Sequence, residues 1–132
     1  MKKNIRILLI EDDSDDVELL QDALKDHNVT YVMQVINDGG LVLPYIQSCS
    51  KPPDIVVLDF NLPKVHGKEL LKLFKSHEAF AQIPVVILTT SSSKDDIDFS
   101  MTNGATEFIT KPTSLKEINK MVTTIIDKVL DK

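Results

Sequence analysis

The sequence predicts a doubly wound α/β domain whose five parallel strands lie in the order 2-1-3-4-5. Three observations carry that prediction. Residues 5–10, 54–58 and 85–88 form short runs rich in aliphatic and β-branched side chains, as strands buried on both faces do. Segments with helical spacing of apolar residues stand between and after them: Val17, Leu20 and Leu24, then Leu70, Leu73 and Phe74, then Leu115, Ile118, Val122, Ile125 and Val129. The runs also end in polar residues of one chemical kind, and the strand ends of an open parallel sheet meet at one crevice.

In chain order, residues 5–10 form the first strand, and Ser14 or Asp15 is placed to cap the first helix. Residues 31–36 carry Gln34 inside an apolar run, which suits an edge strand. Asn37-Asp38-Gly39-Gly40 then breaks the chain. Pro44 fits a second helix only if that helix begins near Gly40 or Leu41, where amides have no intrahelical acceptor. Pro52-Pro53 precede the third strand, and Gly67 serves the backbone between a loop and the third helix. Ser93 or Lys94 should cap the fourth helix. Asn103-Gly104 end it, and residues 106–109 supply the fifth strand. Thr113 or Ser114 caps the last helix, with Glu117 placed for a capping box. Met121, Ile126 and Leu130 widen that helix's apolar face, either for broad burial or for a dimer or partner surface.

A chain of 132 residues with no long linker, low-complexity tract or repeat is expected to be one domain, 1–132. Hydrophobic residues at 42% and charged residues at 27% give an ordinary globular balance. No apolar stretch approaches the ~20 residues that span a bilayer, and no signal-peptide pattern opens the chain. A net charge of −5 argues against binding a phosphate backbone, so no direct nucleic-acid partner is expected. The single cysteine, Cys49, fits a helix face in a reducing, cytoplasmic compartment. His27, His66 and His77 lack paired spacing for a metal and read as surface residues.

Glu11-Asp12 end the first strand, Asp59 the third, Thr89 the fourth and Lys111-Pro112 the fifth. The 2-1-3-4-5 order puts the first and third strands side by side, so three carboxylates share one cleft. Such acids repel one another unless a hard, oxygen-seeking cation such as Mg²⁺ joins them. A carboxylate beside that cation can attack phosphorus, while Thr89 and Lys111 offer a hydroxyl and an ammonium to phosphoryl oxygens.

Ile10-Glu11-Asp12-Asp13, Leu58-Asp59-Phe60-Asn61-Leu62-Pro63 followed by Gly67, Leu88-Thr89-Thr90 and Phe108-Ile109-Thr110-Lys111-Pro112 together resemble the receiver domain of bacterial two-component response regulators. The resemblance spans essentially the whole chain and implies the flavodoxin-like (βα)5 fold. By position it implies Asp59 as phosphoacceptor, Asp12 as a direct metal ligand, Glu11 as a ligand through water and Asn61 as a backbone-carbonyl ligand. It also implies Thr89 as switch hydroxyl, Lys111 as phosphate counter-ion, Phe108 as switch aromatic and a cis peptide at Pro112. Phosphorylation would then remodel the face of the fourth helix, fifth strand and fifth helix. The implied partners are a histidine kinase or histidine phosphotransfer protein, docking on residues 15–25, a downstream protein target and, as an alternative use of the last helix, a second copy. Ser14-Asp15-Asp16, the loop before Pro53 and Leu62-Pro63-Lys64 further resemble stand-alone receivers paired with phytochrome-like kinases.

Thr90 and Thr113 depart from the commoner alanine and phenylalanine of that family. Thr90 would narrow access to the phosphoryl group, and Asn61 and Ser91 flank the expected path of hydrolytic water. Three other functions share parts of the pattern. A haloacid-dehalogenase-like phosphatase uses a strand-end aspartate, but needs a second acid where this chain has Asn61. A pseudo-receiver would keep the fold as a docking module without phosphorylation. A flavodoxin-like cofactor carrier is disfavoured, because residues 11–16 would repel a phosphate.

Overall fold

The computed structural model describes residues 4–62, 66–90 and 92–130. The loop residues Pro63 and Lys64, and Ser91 on the expected water path, lie outside the described residues. Five strands form one parallel sheet: β1 (Ile5–Ile10), β2 (Tyr31–Ile36), β3 (Ile55–Leu58), β4 (Val85–Thr89) and β5 (Glu107–Thr110). Their order is β2-β1-β3-β4-β5, as the sequence predicts. The helices are α1 (Ser14–Asp26), α2 (Val42–Ser48), α3 (Gly67–Ser76), α4 (Lys94–Thr102) and α5 (Leu115–Leu130). A 3₁₀ turn, Gly39–Leu41, leads into α2, and a single turn of helix, Glu78–Ala81, follows α3. Among the described residues, no helix is long and apolar enough to cross a membrane.

Strand alternation divides the core into two layers. Leu8, Ile10, Val56, Leu58, Val85 and Ile87 face α2 and α3, meeting Val42, Leu70, Leu71 and Phe74. Ile7, Leu9, Ile55, Val57, Val86 and Leu88 face α1 and α5, meeting Leu20, Leu24, Val122 and Ile125. Both faces of the inner strands are therefore dry, which is why their sequences show no polar alternation. β2 lies at an edge, and Val32 and Val35 are exposed there. Met121 is buried while Leu115 and Leu130, at the two ends of α5, stay exposed, so broad burial holds for the middle of that helix.

The caps settle where each helix starts. The cap of α1 precedes both expected ones: Asp13 takes extended geometry and accepts a hydrogen bond from the Asp15 amide at 2.9 Å. Pro44 falls in the first turn of α2, where its missing N–H does no harm. Ser93 caps α4, accepting from the Asp96 amide at 3.2 Å. Ser114 accepts from the Glu117 amide at 3.2 Å, and Glu117 accepts from the Thr113 amide at 2.8 Å. The predicted capping box thus forms with its return bond shifted by one residue.

Helix α4 is the most lightly held of the five. Of its residues only Ser100 is fully buried. Lys68 pairs with Asp96 at 2.7 Å, and the ammonium groups of Lys68 and Lys72 lie 5.2 and 5.6 Å from the centre of the Phe99 ring. Ser93→Ala is expected to remove about 1 kcal/mol of stability. Its signature is faster amide hydrogen exchange in α4 than in α1, and uniform exchange across both would contradict this account.

Candidate functional site

The sheet register assembles the site. Ile10 lies opposite Leu58 and Leu58 opposite Ile87, so the residues that follow leave the sheet together. The Asp59 amide donates to the Ile10 carbonyl at 3.1 Å, the Glu11 amide to Ile36 at 3.0 Å and the Lys111 amide to Thr89 at 2.8 Å. These bonds continue the ladder one residue past the strands and set Glu11, Asp59, Thr89 and Lys111 on one rim.

Glu11, Asp12 and Asp59 each offer a carboxylate oxygen, and these oxygens lie within 4.8 Å of one another. Glu11 and Asp59 are almost wholly buried, at 2% and 3% exposure, while Asp12 is exposed. Burial, reinforced by the charge of Asp59, pushes the Glu11 carboxyl up to about 7 despite its contact with Lys111. One oxygen of Asp59 accepts from the Asn61 amide at 3.0 Å and the other from the Lys111 ammonium at 3.2 Å. The carboxylate is held at both ends.

Lys111 has three carboxylate neighbours: Asp16 at 2.6 Å, Glu11 at 3.1 Å and Asp59 at 3.2 Å. Burial alone would lower its pKa, but the bonds to Asp16 and Glu11 and the charge of Asp59 outweigh that and raise it. The lysine reaches them through an ordinary trans peptide. No cis bond occurs among the described residues, which corrects the expectation at Pro112. The trans isomer is the intrinsically favoured one, by about 0.5–1 kcal/mol, and the lysine meets the acids without the rarer isomer.

Thr89 is fully buried at the end of β4. Its hydroxyl accepts a 3.0 Å hydrogen bond from the Asn61 side-chain amide, which also donates to Thr90 at 3.0 Å. A hydroxyl can accept one hydrogen bond and donate another. Phe108, on β5, is half-buried and stands edge-on to Phe60 with ring centres 6.2 Å apart. Its edge of the sheet and α5 border a hollow of about 250 Å³.

Every sequence-predicted site residue except Phe108 therefore lies at the acidic cleft or bonds a residue that does. Asp16 was not expected there. Its signal was a second acid in the first turn of a helix that starts beside Glu11, but its partner lies 95 positions away. The histidines make structural contacts: His66 caps α3, His77 contacts the Leu73 carbonyl at 3.0 Å, and His27 at the end of α1 contacts Asn119 of α5 at 3.1 Å.

Known proteins resemble this chain in sequence and fold. The family model of the response regulator receiver domain matches residues 7–123. Response regulator Rcp1 of Synechocystis sp. is 36% identical over 121 residues, spanning 88% of this chain and 82% of Rcp1. The crystal structure of the phosphorylated cyanobacterial phytochrome response regulator RcpA has a TM-score of 0.86 at 33% identity, covering 97% of this chain and 95% of that one. The Mn²⁺-bound form of Rcp1 has a TM-score of 0.81 at 35% identity, covering 92% and 91% of the two chains.

Proposed function

This chain belongs to the response regulator receiver domain family, and from that premise we propose that it accepts a phosphoryl group on Asp59 from a histidine kinase or phosphotransfer protein. The carrying observation is the setting of Asp59: a buried carboxylate fixed by Asn61 and Lys111 beside two further acids. An oxygen of Asp59 forms the new bond to phosphorus as the donor's bond to phosphorus breaks, leaving an acyl phosphate. Lys111 and the Thr89 hydroxyl are positioned to donate to phosphoryl oxygens, where transition-state charge collects.

The donor set fits Mg²⁺, because hard carboxylate oxygens gather around one point and, among the described residues, no histidine or cysteine joins the cluster. Glu11, Asp12 and Asp59 would hold it, joined by the Asn61 backbone carbonyl. When bound, the cation supplies positive charge that offsets repulsion between these acids and an incoming phosphoryl group. Asp59 would then serve as the nucleophile.

The chemistry is self-modification, since Asn61 cannot act as the acid that a phosphatase requires two places after its nucleophile. Phosphorylation is read out at α4, β5 and α5, where Thr89 and Phe108 couple the cleft to the surface and a downstream protein or a second copy docks. The likeness to RcpA, a cyanobacterial phytochrome response regulator, supports a phytochrome-like kinase as donor, and a cytoplasmic setting is the one that the sequence suggests.

Acetyl phosphate with Mg²⁺ should add one phosphoryl mass to the intact protein, and excess EDTA should suppress the gain at least about tenfold. Restoring Mg²⁺ should restore it. A protein that stays unlabelled with Mg²⁺ present would be a docking module instead.

A further inference from the structure

The shortest contact of the Lys111 ammonium is with Asp16, at 2.6 Å, rather than with either buried acid. Asp16 comes from the first turn of α1, while Glu11 and Asp59 come from strand ends. The Asp13 cap starts α1 early enough to put Asp16 at its third helical position. The pair sits over a hollow of about 20 Å³ floored by Leu20, Leu88, Pro112 and Met121. Lysine is long and carries about 2 kcal/mol of rotamer entropy, so an ammonium that must meet a phosphoryl oxygen needs a fixed position beforehand.

We propose that Asp16 is a positioning residue whose carboxylate holds the Lys111 ammonium over Asp59, ready for the incoming phosphoryl group. The inference goes beyond the reading of Asp59 as acceptor and rests on it. An ammonium has three hydrogens. The one now directed to Asp59 passes to a phosphoryl oxygen as the acyl phosphate forms, while the one on Asp16 need not move. Asp16 is outside the carboxylate cluster that would bind the cation, so its effect should leave Mg²⁺ affinity unchanged.

Labelling rates with acetyl phosphate and Mg²⁺ test this in the wild type, Asp16→Ala, Asp16→Asn and each variant combined with Lys111→Ala. Asp16→Ala should slow labelling roughly tenfold, since small misplacements of a reacting group cost at least that much. Asp16→Asn, which keeps an acceptor oxygen, should stay within about threefold of wild type. With Lys111 already removed, Asp16→Ala should change nothing further, as residues acting through one contact do in a double-mutant cycle. A second readout needs no labelling: the Lys111 ammonium, assigned by its loss in Lys111→Arg, should give an NMR signal protected from exchange in wild type and Asp16→Asn but not in Asp16→Ala. Undiminished labelling of Asp16→Ala, or a slowing that persists without Lys111, would overturn the proposal. Failure of the wild type to label would instead overturn the assignment of Asp59, and the ammonium signal would still decide the role of Asp16.

Discussion

Asp59→Asn abolishes phosphoryl uptake while leaving a folded protein: that is the expected result of intact mass measurement after incubation with acetyl phosphate and Mg²⁺. Asparagine has the shape of aspartate and keeps an oxygen to accept from the Asn61 amide. It has no anionic oxygen to attack phosphorus, so labelling should fall by the full factor that nucleophilic catalysis provides, below detection. The fold should survive because Lys111 retains Asp16 and Glu11 as partners, and Glu11 loses a repelling neighbour. Equal labelling of variant and wild type would put the acceptor on another residue.

Gly67→Ala should be the most damaging single methyl in the molecule's acidic rim. A Cβ there would lie 2.4 Å from Phe60 Cα and 2.7 Å from the Asp59 carbonyl oxygen, both backbone atoms that cannot rotate away. The Gly67 amide is already bonded to the Phe60 carbonyl at 3.2 Å, so the start of α3 is pressed against the turn that carries Asp59. Overpacking against rigid neighbours costs about 3 kcal/mol at the upper end of its usual range. For a domain this size that lowers the thermal midpoint by roughly 10 °C. Labelling should slow as well, because relief of the clash moves the segment bearing Asp59. A midpoint within about 2 °C of wild type would show that α3 yields without strain.

The sequence announced the architecture wherever one local pattern was enough. Dense apolar runs gave β1, β3 and β4, because strands covered on both sides have no reason to alternate. Pro44 tied the start of the second helix to Gly40 or Leu41; those residues form the 3₁₀ turn, and α2 follows directly at Val42. The acidic rim was legible for a related reason: strand ends are fixed by strand positions, so Glu11, Asp59, Thr89 and Lys111 had to converge once the strand order was right. What escaped depended on competition between near-equals. Asp13, Ser14 and Asp15 can each cap a helix, and the choice of Asp13 follows from how the chain leaves β1. That choice aims Asp16, whose contact with Lys111 no local pattern encodes. The trans bond before Pro112 escaped because it was carried over from the family resemblance, and nothing in the neighbouring residues distinguishes the two isomers.

The anchoring of α4 gives the two sides of the molecule different sensitivities to their surroundings. α1 and α5 are fastened by oily contacts that dissolved ions hardly touch, whereas α4 leans on lysines over Phe99 and on the Lys68–Asp96 pair, all half open to solvent. Attractions of that kind weaken as ionic strength shortens their range. The looseness of α4 is therefore set partly by the salt around it, more than is the hold on α1 and α5.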